Sequence, residues 1–298
     1  MPELPDITLY IEALRRHTGG ATLEEIGISD PFVLRSVVPA AKDFRGRELV
    51  DVSRLGKRIV LTFAGVLHAV ILLLIAGRLR WRDADAKPPG RSALFVFFFS
   101  SGALVLTEAG SKRRASLHLV EGRGALAEHD PGGLEILEAD LDDFCAAITT
   151  ERHTLKRTLT DPGILSGIGN AYSDEILHRA RLSPFRLSDR LSEEEMARFF
   201  EATVTVLNEW TERLREEVGE GFPTKVTAFR EEMAVHGRFG KACPDCGAPV
   251  QRIRYAESEC NYCARCQTDG RILADRSLSC LLKADWPKTL DDLERRSK

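Results

Sequence analysis

The sequence of 298 residues predicts an α+β protein, in which antiparallel β-structure precedes a helical region and a small cysteine-containing segment. Short runs of β-branched and aromatic residues follow one another before residue 126, whereas residues 137–218 have the apolar spacing of helices. Successive strands without alternating helices favour an antiparallel sandwich or barrel. The chain length and a hydrophobic content of 43% predict two domains with a substantial core.

The boundaries of the predicted elements follow from local sequence patterns. A helix is predicted over residues 5–17, because apolar residues recur on one face and Pro5 suits the first turn. Residues 129–133 are predicted to form a linker between the β-structure and the helical region. Strands are predicted where apolar runs end at glycine or charged turns, over residues 59–63, 70–74, 94–99 and 104–106.

The first three residues, Met1-Pro2-Glu3, carry a signal for amine chemistry. A small residue after the initiator allows removal of Met1, which would leave Pro2 as a secondary amine that can attack an aldehyde or hemiaminal carbon and form an iminium. An α-amino group has a reference pKa of about 7.7–8, below that of lysine at about 10.4, so more of it is nucleophilic near neutral pH. Glu3 supplies a carboxyl for proton transfer. The alternative interpretation is an ordinary N-terminus with a helix-starting proline.

The cysteine spacing near the C-terminal end predicts a metal site. Cys243-x2-Cys246 and Cys263-x2-Cys266 match the pattern of a tetrahedral zinc site with four thiolate ligands. Cys260-x2-Cys263 is also a permitted spacing, but the symmetric arrangement favours the first four cysteines. A disulfide framework is the alternative, although the sequence shows no secretory segment and therefore indicates a reducing, cytoplasmic compartment.

The charge distribution is uneven although the formal net charge is only -3. An uneven distribution allows one basic surface opposed by an acidic one. Basic residues gather in residues 54–58, 78–82, 112–114 and 156–157, and acidic residues gather in residues 193–195 and 216–217. The longest apolar run, residues 66–76, is shorter than the roughly 20 residues of a membrane span, so no membrane segment is expected.

A glycine-rich turn, Ser166-Gly167-Ile168-Gly169-Asn170, precedes a predicted helix. Two glycines allow a tight turn whose backbone N–H groups, together with the helix dipole, can bind a phosphate. Tyr172 stands where a dinucleotide-binding motif requires its third glycine, which argues against that function. The alternative is a helix start that binds no ligand.

Together these motifs resemble those of the formamidopyrimidine-DNA glycosylase and endonuclease VIII family. They occur in the family's order, as Pro2-Glu3-Leu4-Pro5-Asp6, Gly56-Lys57, Ile75-Ala76-Gly77-Arg78, Gly167-Ile168-Gly169-Asn170 and the four-cysteine segment. The resemblance implies a catalytic β-sandwich over residues 1–128, a helix-two-turns-helix domain over residues 137–235 and a β-hairpin zinc finger over residues 236–280. It also implies a monomeric, nucleoid-associated enzyme that acts on double-stranded DNA containing damaged bases or abasic sites.

The resemblance implies a bifunctional glycosylase and lyase of base-excision repair, with Pro2 as the Schiff-base nucleophile. Glu3 would transfer protons, and Lys57 would lie near the sugar-phosphate and the base. Attack on C1′ would expel the base, and the iminium would promote β-elimination of the 3′ phosphate, with a second elimination on the 5′ side possible.

Further residues are implied to bind DNA and metal. Lys156 and Asn170 would bind phosphates beside the lesion, and Arg113 and Arg114 would add DNA contacts. The four cysteines would hold one structural Zn²⁺ per chain, with no open coordination position.

The sequence departs from the family pattern at positions that bear on the damaged base. Leu72 and Ile75 stand where formamidopyrimidine-DNA glycosylases usually have a histidine and a gap-filling methionine. Residues 112–116 contain arginines but no aromatic wedge, and residues 219–233 lack the usual threonine- and aspartate-containing loop. Oxidised pyrimidines, ring-opened purines and bulky lesions are all compatible with this sequence. A second hypothesis is a catalytically weak zinc-containing DNA-binding protein on the same scaffold.

Overall fold

The structure is a computed structural model, which describes residues 1–83, 92–109, 112–255 and 258–296. The chain forms two compact units. The first unit contains residues 1–132 and 209–227, and the second contains residues 133–208 and 228–298. Among the described residues, no helix is both long enough and apolar enough to cross a membrane.

The first unit is an antiparallel β-sandwich preceded by a helix, which confirms the predicted fold class. Helix α1 spans Leu4–Thr18, and a short helix, α2, spans Gly122–Ala127. The strands are β1 (Leu23–Ile28), β2 (Leu49–Leu55), β3 (Arg58–Phe63), β4 (Leu67–Leu72), β5 (Gly77–Arg82), β6 (Ala93–Phe99), β7 (Gly102–Glu108) and β8 (Ser116–Glu121). One sheet has the order β1-β6-β7-β5, and the other has the order β2-β3-β4-β8.

Aromatic side chains join the two sheets of the sandwich. Phe63 of β3 stacks on Phe97 and Phe99 of β6, with ring centroids 6.5 and 6.3 Å apart. Because successive side chains of a strand point to opposite faces, every second residue enters this core. The strand predicted over residues 70–74 instead ends at Leu72, since Leu74 has a positive φ of 49° in the turn before β5.

The second unit combines helices with a two-stranded antiparallel hairpin. Its elements are α3 (Leu141–Thr149), α4 (Leu155–Thr160), α5 (Asn170–Arg179), α6 (Glu193–Val218), β9 (Val250–Tyr255), β10 (Ser258–Cys263), α7 (Ala264–Thr268), α8 (Arg276–Leu282) and α9 (Leu290–Arg296). Residues 209–218 of α6 belong to the first unit. Helix α5 packs against α4 and β10, so the glycine-rich turn, Lys156 and the hairpin share one framework.

Candidate active site and cysteine cluster

The first turn of α1 fixes the N-terminal residues. The backbone N–H of Glu3 donates to Oδ2 of Asp6 at 3.0 Å, and the carbonyl of Glu3 accepts from the N–H of Ile7 at 2.9 Å. The first N–H groups of a helix lack partners within the helix, so the Asp6 carboxylate satisfies one of them. Glu3 and Asp6 are buried, as is Pro2, which places the start of the chain inside the fold.

Charged groups surround the N-terminal amine. Burial lowers the pKa of this amine, the α-amino group of Met1, and Arg78 and Lys57 lower it further, whereas Glu3 and Asp6 oppose the shift. Burial also lowers the pKa of the Lys57 ammonium, with Glu3 opposing and Arg58 adding to the effect. A lowered amine pKa increases the neutral, nucleophilic fraction near pH 7. The structure therefore places Lys57, which is distant in sequence, near the N-terminal amine and Glu3.

Arg78, for which no site role was predicted, lies near this amine and contributes to its lowered pKa. Nη1 of Arg78 donates to the carbonyls of Ile75 at 3.1 Å and Gly77 at 2.7 Å. A Cβ on Gly77 would lie 2.3 Å from the Leu73 carbonyl oxygen, so the close turn requires glycine. The signal in the sequence was the Gly77-Arg78 pair, in which a required glycine directly precedes a cation.

In the second unit, Lys156 belongs to a buried network of hydrogen bonds. Its ammonium donates to the Asn170 carbonyl at 2.7 Å, to Oγ of Ser173 at 2.7 Å and to Oδ1 of Asp174 at 2.6 Å. An ammonium has three donors, and three acceptors surround this one. The side chain is only 12% exposed. Lys156 thus holds the start of α5 in place.

Asp174 is the centre of that network and was not assigned from the sequence. Its Oδ2 accepts from the N–H of Asn261 at 3.1 Å and lies 2.7 Å from Nδ1 of His236. Burial raises the pKa of the Asp174 carboxyl, but Lys156 and His236 lower it by more, so the net shift is downward. Asp174 is therefore a buried carboxylate whose charge is balanced by its partners.

Asn170 and Glu175 connect α5 to other segments of the second unit. Nδ2 of Asn170 donates to the Glu259 carbonyl on β10 at 2.7 Å. The Glu175 carboxylate accepts from the backbone N–H groups of residues 234–236 at 2.7 to 2.9 Å. These contacts fix a loop and the hairpin to one helix.

Arg113 and Arg114 lie on the surface of the first unit. Nη1 of Arg113 donates to Oδ2 of Asp30 at 2.8 Å. The backbone N–H of Arg114 donates to the Glu108 carboxylate at 2.9 Å, which anchors the segment before β8. The backbone at Arg114 is held by Glu108 and the guanidinium of Arg113 by Asp30, and both arginine side chains remain solvent-accessible.

Four thiols form a cluster whose geometry fits a metal ion. The Sγ atoms of Cys243, Cys246, Cys263 and Cys266 all lie within 4.8 Å of one another. The Cys246–Cys263 and Cys243–Cys266 separations are 3.4 and 3.9 Å. A tetrahedral site with Zn–S bonds of about 2.3 Å requires Sγ atoms about 3.8 Å apart. Cys260 is buried outside this cluster, and burial raises the pKa of its thiol.

Comparisons with known proteins agree with this architecture. The formamidopyrimidine-DNA glycosylase N-terminal domain matches residues 1–115, and the formamidopyrimidine-DNA glycosylase H2TH domain matches residues 133–218. A formamidopyrimidine-DNA glycosylase of Heliobacterium modesticaldum is 32% identical over 279 residues, which cover 90% of this chain and 100% of that protein.

Solved structures are similar over the same extent. The MutM (Fpg) protein of Thermus thermophilus superposes with a TM-score of 0.74 and 29% identity, covering 89% of this chain and 98% of that one. The Lactococcus lactis Fpg, in complex with DNA containing an abasic site, has a TM-score of 0.78 and 22% identity, with coverage of 89% and 99%. The chain therefore belongs to the formamidopyrimidine-DNA glycosylase family.

Proposed function

We propose that the protein is a DNA glycosylase and abasic-site lyase of base-excision repair that uses Pro2 as its Schiff-base nucleophile. The observation that carries this proposal is the setting of the chain start, where Pro2 and Glu3 are buried. The adjoining α-amino group of Met1 has its pKa lowered by burial and by Arg78 and Lys57, with Glu3 and Asp6 opposing. After removal of Met1, the secondary amine of Pro2 becomes the N-terminal group. Family membership supports damaged double-stranded DNA as the substrate class.

The proposed reaction uses the two charged side chains next to this amine. The nitrogen of Pro2 attacks C1′, the glycosidic bond breaks and the base leaves with the bonding electron pair. Glu3 protonates the ring oxygen, which opens the sugar and yields the iminium. The cationic nitrogen acidifies the C2′ protons, so loss of one proton expels the 3′ phosphate by β-elimination. Lys57, which faces Glu3, supplies positive charge near the leaving groups.

The proposed DNA contacts divide into direct and supporting ones. The exposed guanidinium groups of Arg113 and Arg114 are available to phosphates. The N–H groups at the start of α5, next to Asn170, suit a phosphate because the helix dipole favours an anion there. Lys156 supports this turn through its contacts with Asn170 and Asp174. The region between residues 137 and 235 is proposed as the helix-two-turns-helix domain.

The four clustered cysteines are proposed to hold one Zn²⁺, because thiolate ligands at tetrahedral spacing suit this ion. Bound there, the ion would stabilise the hairpin and leave the sugar chemistry to the first unit. Cys266→Ser should lose the zinc, whereas Cys260→Ser should retain one equivalent by atomic emission. Zinc retained in Cys266→Ser but lost in Cys260→Ser would show a different set of ligands.

Borohydride trapping on duplex DNA with one abasic site tests the proposed nucleophile. The wild-type protein should lack one methionine by intact mass and form a covalent adduct on reduction. A glycine inserted before Pro2 should abolish the adduct, whereas a glycine added after Lys298 should have no effect. Trapping that survives the N-terminal insertion would move the nucleophile elsewhere, with Lys57 the next candidate. DNA binding by the wild type without trapping would favour the catalytically weak DNA-binding protein.

A further inference from the structure

Outside the proposed reaction centre, a group of basic side chains lies on the outer face of the β2-β3-β4-β8 sheet. Arg58 of β3 pairs with Leu72 of β4, and Val70, two residues earlier on β4, pairs with His118 of β8. Their strand neighbours, including Ile59, belong to the sandwich core, so Arg58 and His118 point away from it. The two basic side chains therefore share one face of the sheet.

Two further residues complete this group. His129 follows α2, which packs on β4 and β8, and its ring centroid lies 4.7 Å from that of His118. Arg35 lies beside β8, and its backbone N–H donates to the Leu117 carbonyl at 2.9 Å. We call Arg35, Arg58, His118 and His129 the basic cluster.

The charged groups that act on the two histidines of the basic cluster are mainly cationic. Burial lowers the pKa of His118, and His129, Arg58 and Arg35 lower it further. Burial and Arg58 lower the pKa of His129, with Glu128 opposing. A group of cations held near one another is stabilised by an anion that lies among them.

Arg58 shows the same excess of positive charge. Among the residues that the structure describes, its Nε is buried without a hydrogen-bond partner. Burial lowers the pKa of the guanidinium, and Asp130 is the acid that opposes the shift. The Asp130 carboxylate also accepts from the N–H of Gly132 at 2.9 Å. A buried N–H donor without an acceptor is costly, so an acceptor from a ligand would stabilise this site.

The basic cluster adjoins the proposed reaction centre through the β2–β3 turn. Arg58 directly follows Lys57 in the sequence. The positive charge of Arg58 lowers the pKa of the Lys57 ammonium, so the two side chains interact electrostatically. A Cβ on Gly56 would lie 3.6 Å from Cγ of Pro131, so the turn also contacts the segment that carries His129. An anion bound by the cluster would lie next to the turn that positions Lys57.

We propose that the basic cluster binds a backbone phosphate of duplex DNA, with the Arg58 guanidinium and the two imidazoles as its donors. This inference rests on the proposed function, which supplies DNA as the ligand. A phosphodiester offers acceptor oxygens and one negative charge, which match the fork of a guanidinium and a protonated imidazole. Contacts to phosphate strengthen binding without reading the base, so the cluster would position the strand for the chemistry at Pro2.

The proposal has a defined pH dependence. Both histidines have pKa values below their ordinary value, so they are largely neutral at pH 7.5. A bound phosphate favours their protonated form, so binding takes up protons and strengthens as pH falls. Arg35 and Arg58 oppose protonation of His118, and Arg58 opposes protonation of His129, which Glu128 favours.

Fluorescence anisotropy with a duplex that contains a non-cleavable abasic-site analogue tests the arginine. Arg58→Gln should weaken binding by about tenfold, the size of one charge-assisted hydrogen bond. It should also lower the slope of log affinity against log salt by about 0.9, the value of one phosphate contact. Arg45→Gln removes an exposed cation outside the cluster and is the matched control. Equal affinities and slopes for the two variants would overturn the proposal.

The histidines and the source of the phosphate are tested by NMR. In the wild type, the His118 and His129 ring signals, assigned with His118→Gln and His129→Gln, should titrate at higher pH when the duplex is bound. The double variant should lose the tightening of binding between pH 7.5 and 6.0. Ring signals that shift with inorganic phosphate but not with the duplex would overturn the DNA assignment.

The proposed function is tested separately by borohydride trapping of the wild type. Arg58→Gln protein that folds, as judged by its thermal melting, but binds like Arg45→Gln overturns only the basic cluster. A wild-type protein that binds the duplex but forms no reducible adduct would contradict the proposed chemistry. The phosphate contact would then still be decided by the anisotropy comparison of Arg58→Gln with Arg45→Gln.

Discussion

The two units bury similar chemical groups in opposite electrostatic settings. At the start of α1, the N-terminal amine and Lys57 are buried near each other and near Arg78, and their pKa values are lowered. At the start of α5, Lys156 is buried against Asp174, whose charge is also balanced by His236. The first arrangement lowers the pKa of its amines, whereas the second holds an ion pair.

The comparison shows why burial alone does not identify a reactive amine. Burial disfavours the charged form of any amine, but a carboxylate at hydrogen-bond distance restores it. Lys156 has such a carboxylate at 2.6 Å, together with two more acceptors. The α-amino group of Met1 instead has a net downward shift of its pKa, because burial and the cations Arg78 and Lys57 outweigh the nearby carboxylates. We therefore infer reactivity at the N-terminus and a structural function at Lys156.

The largest expected effect is on base excision. Glu3→Gln should lower the rate of excision from lesion-containing duplex by about 10²–10⁴-fold, because proton transfer opens the sugar. Strand cleavage at a preformed abasic site should fall much less. Gel assays on both substrates measure the two rates, with exposed Glu25→Gln as the control. Equal losses on the two substrates would contradict this division of labour.

The corresponding change in the second unit should affect stability. Asp174→Asn leaves Lys156 buried without its carboxylate, which should lower the free energy of unfolding by about 3–5 kcal/mol. Exposed Asp189→Asn, which breaks a pair with Arg152 at 3.2 Å, should cost at most about 1 kcal/mol. Urea unfolding at pH 7 measures both values. Equal stabilities for the two variants would show that the buried pair contributes nothing.

The acid dependence of unfolding sharpens this test. The folded-state pKa of Asp174 lies below its ordinary value of 3.8, so its stabilisation is present above that pH. The stabilisation is lost as pH falls through the lower folded-state pKa. Asp174→Asn protein should lack this component of acid destabilisation, while Asp189→Asn should keep it.

A smaller effect is expected at Arg78. We expect the Pro2 amine to share the setting of the Met1 α-amino group, whose pKa lies below its ordinary value of 8.0. The wild-type trapping rate should therefore rise with pH through a midpoint below 8.0, because only the neutral amine attacks. Arg78→Gln removes a cation that lowers this pKa, so the midpoint should move upward by less than about one unit. Trapping rates from pH 5.5 to 9 measure the shift, and Arg45→Gln is the control. A downward shift would contradict the proposed electrostatics.

The sequence predicted the elements whose signals are local. Helix α1 was expected over residues 5–17 and spans Leu4–Thr18, since its apolar spacing and Pro5 act within a few turns. The strand ending at Leu72 was predicted to begin three residues and to end two residues too late, and the left-handed conformation of Leu74 explains its earlier end. Helix α2 was not predicted, since Gly122 and Gly124 are poor helix formers.

The same division holds for the candidate sites. The sequence by itself determined the family motifs, the Pro2-Glu3 start and the four cysteines, because each depends on residue type at short spacing. Only the tertiary structure decided that Cys260 lies outside the thiol cluster and that Lys156 faces Asp174. It also placed Arg78 beside the N-terminal amine. The physical reason is that pKa values and ligand geometry depend on groups distant in sequence, which only the packing of strands and helices brings within a few ångströms.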